Sequence, residues 1–240
     1  MLLTTSPALL PANEAARLLT LHYYDILQSV QETVFTEFVT LAGRIFNLPM
    51  SLLGLVDASE VKYMAHTGLP ALRRQERPEA ICSQVVVQGE LLVFSDLAGT
   101  SAQQLPSQAS LSALAKDLRF YAGAPLQMPN QTVIGTLCVL GRQPRTTSDQ
   151  ERQLLERLTH LVERVIVVRH ACLASRWLGQ EYWRLTQEYI AKALREVSAL
   201  LMNPPRCYPG APFAANVLQP VLTHLNQLGW VLAEPLPGFA

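Results

Sequence analysis

Two pairs of apolar runs, each joined by a short turn, set the limits on what this chain can fold into. PMSLLGLVD and EVKYMAHTG flank a tight turn at Asp57, Ala58 and Ser59. DLRFYAGAPLQ and QTVIGTLCVLG flank a second turn at Met128, Pro129, Asn130 and Gln131. Short runs bounded by turn formers predict two antiparallel hairpins. LLVF, ending at Ser95 and Asp96, adds a further strand. A central antiparallel sheet of five to six strands is therefore expected.

The flanking segments read as helices. Asn13 and Glu14 suit a helix start, with an end expected near Leu27. A second helix is expected from about Gln31 to Phe46, where Val34, Phe35, Phe38, Leu41, Ala42 and Ile45 recur at three- and four-residue steps. RRQERPE reads as a charged loop, AICSQVVVQG as a short helix closed by Gly89, and Leu97 to Ser110 as a polar loop. From TTSDQERQLLERL to the region near Leu201 there is no proline, and Gly179 is the single glycine. One long helix or two abutting helices follow, capped by Thr147 or Ser148. NPPRCYPGAPF breaks it, and a short helix between Asn216 and Leu228 docks at the end. The class is α+β, with helices flanking the sheet and a long C-terminal helical extension.

Composition excludes several roles. Nineteen basic residues balance nineteen acidic ones over 240 residues, so no global field draws in nucleic acid or anionic lipid. The opening MLLTTSPALLP lacks a basic segment and carries Pro7 and Pro11, unlike a secretory signal. VERVIVVRH, the most apolar helical run, holds Glu163, Arg164 and Arg169, which argues against a membrane span. Cys82, Cys138, Cys172 and Cys207 are widely spaced, without CxxC pairs. Reduced thiols and a cytoplasmic location are the expectation.

RLLTLHYYDIL, LPMSLLGLVD, ICSQVV, DLRFYAGAPL and VIGTLCVL together resemble the sensory GAF domains of bacterial signalling proteins, with RFYAGAPL and IGTLCV the most specific parts. The resemblance spans roughly Asn13 to Val168. It implies a GAF/PAS-like receptor domain with a central antiparallel sheet, helices on one face, and a pocket closed by helices and loops on the other. Relatives transmit through terminal helices, often dimerise, and bind cyclic nucleotides, tetrapyrroles, metals or small metabolites. Many carry Phe-Cys-x-His where this chain has Ile81, Cys82, Ser83 and Gln84, so Gln84 removes the imidazole that such a pair supplies.

The candidate ligand-binding residues are Cys82, Gln84, Asp96, Arg119, Tyr121 and Thr136. Cys82 offers a thioether, redox or metal-binding thiol, or a small buried residue. Arg119 and Tyr121 share one face of their strand, where guanidinium and ring suit an anionic or aromatic ligand, and Phe120 takes the other. Strand alternation places Cys138 with Ile134, Thr136 and Leu140, a packing position. Asp96 reads as a cap of the following loop. Asp57 and Glu60 read as turn chemistry. His160 and His170, ten residues apart, build no metal site, and no HExxH, GxSxG, P-loop or GxGxxG pattern is present.

Leu154, Leu158, Leu161, Val165, Val168 and Cys172 form a packed seam on the long helix. A second stripe, Leu178, Tyr182, Leu185 and Tyr189, is displaced around the axis: either Gly179 marks a bend, or the first stripe packs on the sheet while the second meets a partner. The division expected is an arm to residue 12, a GAF domain over 13–168, a dimerisation or signalling helix over 169–202, and a Pro-rich segment over 203–240. The expected function is non-enzymatic: a homodimeric sensor or regulator that binds a small ligand or a signalling partner, its cofactor unspecified. With no room after the GAF region for a kinase, cyclase or phosphodiesterase domain, output is expected to pass through partners. The alternatives are a cysteine-dependent reductase of the methionine sulfoxide type with Cys82 as nucleophile, a tetrapyrrole photosensor, and a ligand-free scaffold.

Overall fold

Every strand of the sheet is antiparallel to its neighbours. A computed structural model of the chain describes residues 10–28, 32–69, 73–101, 104–175, 179–202 and 210–232. Among these, β1 (Met50–Val56), β2 (Glu60–Thr67), β3 (Arg74–Glu76), β4 (Leu92–Phe94), β5 (Phe120–Gln127) and β6 (Val133–Gly141) form one sheet in the order β3-β2-β1-β6-β5-β4. Both hairpins form as the sequence predicts, and β1 and β6 meet at the centre.

The sheet separates two apolar cores, because successive side chains of a strand point to opposite faces. One face is covered by α1 (Glu14–Tyr23), α2 (Thr33–Ile45), α5 (Asp149–Ala174), α6 (Gly179–Ala199) and α7 (Ala215–Val231). Phe35, Phe38, Phe120, Leu137, Leu158, Leu194 and Leu225 are among the residues buried there. The opposite face is covered by a thinner layer, α3 (Cys82–Gln88) and α4 (Ser107–Leu114), over Leu52, Tyr63, Tyr121, Cys138 and Leu140.

Four details depart from the sequence reading. RRQERPE contains the edge strand β3, held by pairing of Gln75 with Val61 rather than by any apolar pattern of its own. The segment expected as loop up to Ser110 contains the start of α4, whose small residues Ala109 and Ala113 pack against the second core. The final helix is long, seventeen residues from Ala215 to Val231, with Pro220 in its second turn. Ile134 lies on the opposite side from Thr136, Cys138 and Leu140. In the β5–β6 ladder Leu126 pairs with Gly135 and Gln127 with Val133, so Ile134 is the extra residue of a bulge, and the side-chain alternation reverses there.

The long helical stretch is two helices, and the second turns back. Ser148 and Glu151 form a reciprocal capping box at the start of α5, and Ser175 is its C-terminal cap. A side-chain carbon on Gly179 would collide with the Cys172 carbonyl, so only glycine lets α6 begin this close to the end of α5. From there α6 runs along α2, joined by Arg195–Glu37 (2.8 Å) and by Arg44 donating to Ser198 Oγ. The extension therefore does not outrun the domain. The α5 seam of Leu154, Leu158, Leu161, Val165 and Cys172 is buried in the same core, with Val168 at its edge.

Candidate functional site

The thin layer is where chemically active side chains converge. Cys82 opens α3 and is buried in the same core as Cys138 of β6. The Tyr121 hydroxyl is 3.8 Å from Cys82 Sγ. Tyr121 reaches that position because β5 carries Gly123 two residues on, on the same face. A side-chain carbon at Gly123 would occupy the space of the Tyr121 hydroxyl. Thr136 Oγ1 sits in the same group, buried and without a well-formed hydrogen bond.

These groups border a cavity of about 30 Å³, lined among others by Tyr63, Gln75, Cys82, Lys116 and Tyr121. That volume holds a molecule the size of water. Tyr63 donates to Gln75 Oε1 (2.9 Å), and Gln75 Nε2 donates to Glu79 O and Ser112 Oγ, tying β2, β3 and α4 together at its rim. Lys116 donates to Ser112 O and Ser112 Oγ.

The electrostatics divide the two cysteines. Hydrogen bonding from Cys138 is the main influence that lowers the Cys82 thiol below the ordinary thiol range, against burial, with Thr136 and Tyr121 assisting. Cys138 is pushed well up by the same contact and by burial. Burial also raises the Tyr121 and Tyr63 phenols, so both remain neutral donors.

Of the six candidate ligand residues, Cys82, Tyr121 and Thr136 come together. Gln84 is buried on α3 with its Nε2 unpartnered. Asp96 and Arg119 stand apart as a partly exposed bidentate pair, both contacts 2.8 Å, and Asp96 also accepts from Ala98 N as cap of the turn Leu97–Gly99. Arg119 is thus engaged by a carboxylate of its own chain rather than aimed into the cavity. Among the described residues no group of three or more His, Cys, Asp or Glu is placed to hold a metal ion. His160 instead pairs with Glu163 at 2.9 Å.

Sequence reasoning missed Tyr63, Gln75 and Lys116, which sit on three separate elements. It also took Cys138 for packing alone. No spacing rule connects Cys82 to Cys138; the topology of β6 under α3 does.

A second network lies at the sheet's outer end. Arg17 and Arg77, 1% and 0% exposed, both hold Glu14. Burial opposes ionisation of Glu14, but the two guanidinium groups outweigh it and bring its pKa to about 2. Arg17 also donates to Val56 O and Arg77 to Asp57 O, so α1 is clamped to the β1–β2 turn. Asp57 and Glu60 serve that turn as well, through Lys62.

Residues 31–166 match the GAF domain family model, more than half of the chain. The chain belongs to the GAF domain family. The chain is 26% identical over 153 residues to a cyclic di-GMP phosphodiesterase of Pseudomonas aeruginosa, a match covering 63% of this chain. The chain spans about a quarter of that relative's length. Similar solved structures include the GAF domain of an Acinetobacter phosphoenolpyruvate-protein phosphotransferase, at 18% identity and TM-score 0.48, covering 65% of this chain and 96% of that one. Another is a type II free methionine-R-sulfoxide reductase from Thermoplasma acidophilum, at 10% identity and TM-score 0.45, covering 60% and 94%. Helix α1 falls outside the matched residues, yet Arg17 joins it to β1 at Val56 O and Glu14 joins it to Arg77. No helix among the described residues is long and apolar enough to cross a membrane.

Proposed function

We propose that this GAF chain is a non-enzymatic sensory or regulatory module of the cytoplasm, in which the α3–α4 layer receives the signal and α6 presents it to a second copy of the chain. The observation that carries the reading is the two-sided build of α6. Trp183, Ile190, Leu194 and Val197 are buried in the main core, while Tyr182, Leu185 and Tyr189 are 39%, 51% and 52% exposed on another face. Leu178, expected to extend this stripe, lies outside the described residues.

Spacing of three and four residues is that of a helix-pairing seam. Beside it Arg184 holds both Glu181 and Glu188 on the same helix, so these charges are engaged within one copy. A two-fold pairing sets identical surfaces against each other, so the exposed apolar stripe of one copy would cover that of the other. The core face of α6 rests on α2 and α5, which in turn cover the sheet under the cavity. Free thiols at Cys82, Cys138 and Cys172 accord with a reducing compartment. The match to a quarter of a phosphodiesterase accords with a module that accompanies an activity.

Native mass spectrometry of the purified chain tests both halves. A dimer that becomes monomeric, with an unchanged far-ultraviolet spectrum, on combining Tyr182→Ser, Leu185→Ser and Tyr189→Ser is the expected result. A wild-type protein that stays monomeric at high micromolar concentration would overturn the dimer. A retained small molecule would identify the ligand; one that survives removal of Cys82, Tyr121 and Thr136 side chains would place the binding elsewhere.

A further inference from the structure

We propose that Cys82 and Cys138 form a dithiol site that hydrogen peroxide converts to a disulfide, fastening α3 to β6. Its meaning as a signal rests on the sensory reading above; its chemistry does not.

Four observations meet at this pair. The Tyr121 hydroxyl lies against Cys82 Sγ and over Gly123, the residue that pairs with Cys138 across β5 and β6, so the two thiols come from different elements to one spot of the same core. Cys82 borders the cavity, whose volume of about 30 Å³ admits an oxidant of water's size and excludes a bulky one. Tyr121 points its hydroxyl at the Cys82 sulfur from 3.8 Å, and burial keeps that phenol protonated, ready to donate. Thr136 Oγ1, buried without a well-formed partner, lies beside the same sulfur. Cys172 lies across the sheet, in the other core, where it serves as an internal control.

In the first step the Cys82 sulfur, having given up its proton, attacks one peroxide oxygen. The O–O bond breaks, hydroxide leaves, and the displaced proton converts it to water. Cys82 becomes a sulfenic acid. Cys138 sulfur then attacks the Cys82 sulfur, the S–O bond breaks, and the departing hydroxide takes the Cys138 proton as a second water. Two thiols and one peroxide yield one disulfide and two waters, with two electrons passing from sulfur to the peroxide. A cellular dithiol returns the pair to the reduced state.

The test is intact-mass and peptide mass spectrometry of the native full chain after treatment with hydrogen peroxide, followed by alkylation under denaturing conditions. The expected product is two hydrogens lighter, contains a Cys82–Cys138 cross-linked peptide, leaves Cys172 alkylated, and reverts with dithiothreitol. Reaction should be at least about tenfold faster with hydrogen peroxide than with a tertiary alkyl hydroperoxide at equal concentration, since a tight pocket discriminates strongly by size. Cys138→Ser should stop at a sulfenic acid that dimedone captures on Cys82. Wild-type protein that gains oxygen without losing hydrogens, that cross-links Cys172 or Cys207, or that stays unchanged under excess peroxide would refute the proposal. Because these readouts use the wild-type protein, they stand even where a variant misfolds. An inert pair in a dimeric protein would sink this inference alone; a disulfide formed in a monomer would sink only the dimeric reading.

Discussion

The Tyr121 hydroxyl occupies the space that a side chain on Gly123 would need, and from there it reaches Cys82 Sγ at 3.8 Å. The glycine of RFYAGAPL is therefore a positioning residue for an aromatic ring two places earlier on the same strand face. Gly123→Ala should force Tyr121 off its path and destabilise the fold by about 1–3 kcal/mol, the usual cost of overpacking a closed core. Chemical denaturation measures the loss. A neutral outcome would show that the ring has another resting place.

Glu14→Gln leaves Arg17 and Arg77 buried against a neutral partner and should cost about 3 kcal/mol, as expected for breaking a buried ion pair. Acid titration gives a second view. Because the folded carboxyl is depressed to about 2, its contribution is complete above the ordinary glutamate range and is lost as pH falls from there towards 2. Allowing for the part of the carboxylate that solvent reaches, the wild type should lose about 2 kcal/mol in that window, and Glu14→Gln should lose none of it.

Glu151 is fully buried, caps α5 through Ser148, and pairs with Arg145, whose guanidinium lies 5.5 Å and 5.3 Å from the centroids of Phe46 and Phe120. Glu151→Ala removes its half of the capping box and leaves buried Arg145 without its partner, so a loss of about 3–4 kcal/mol in equilibrium unfolding is expected. Ser148→Ala removes the cap alone and should cost about 1 kcal/mol.

Gly179→Ala sets a methyl against the Cys172 carbonyl. The turn from α5 to α6 must then open, and amide exchange should accelerate in α6 more than in α5, since α6 depends on that turn to reach α2. Uniform acceleration across both helices would point to global destabilisation instead.

The hairpins, the seam of α5 and the Ser148 cap were legible because each is written locally, in alternation, periodicity and a capping residue. β3 was not, since the polar tripeptide Arg74–Gln75–Glu76 becomes a strand only by lying beside β2. α4 was hidden by its Ala- and Ser-rich composition, which gives little apolar contrast to read. The reversal at Ile134 depends on how β6 counts against β5, and no single strand records it. The site is legible to the same extent. Cys82, Tyr121 and Thr136 could be proposed one at a time, but Cys138, Tyr63, Gln75 and Lys116 join them only through strand order.

The sheet also acts as a partition for mutational change. Residues on its two faces share few neighbours, so paired substitutions such as Leu158→Ala with Leu52→Ala should have additive effects, whereas pairs within one core should not. A chain built this way can remodel the layer over β1 and β6 while the five helices behind the sheet keep their packing.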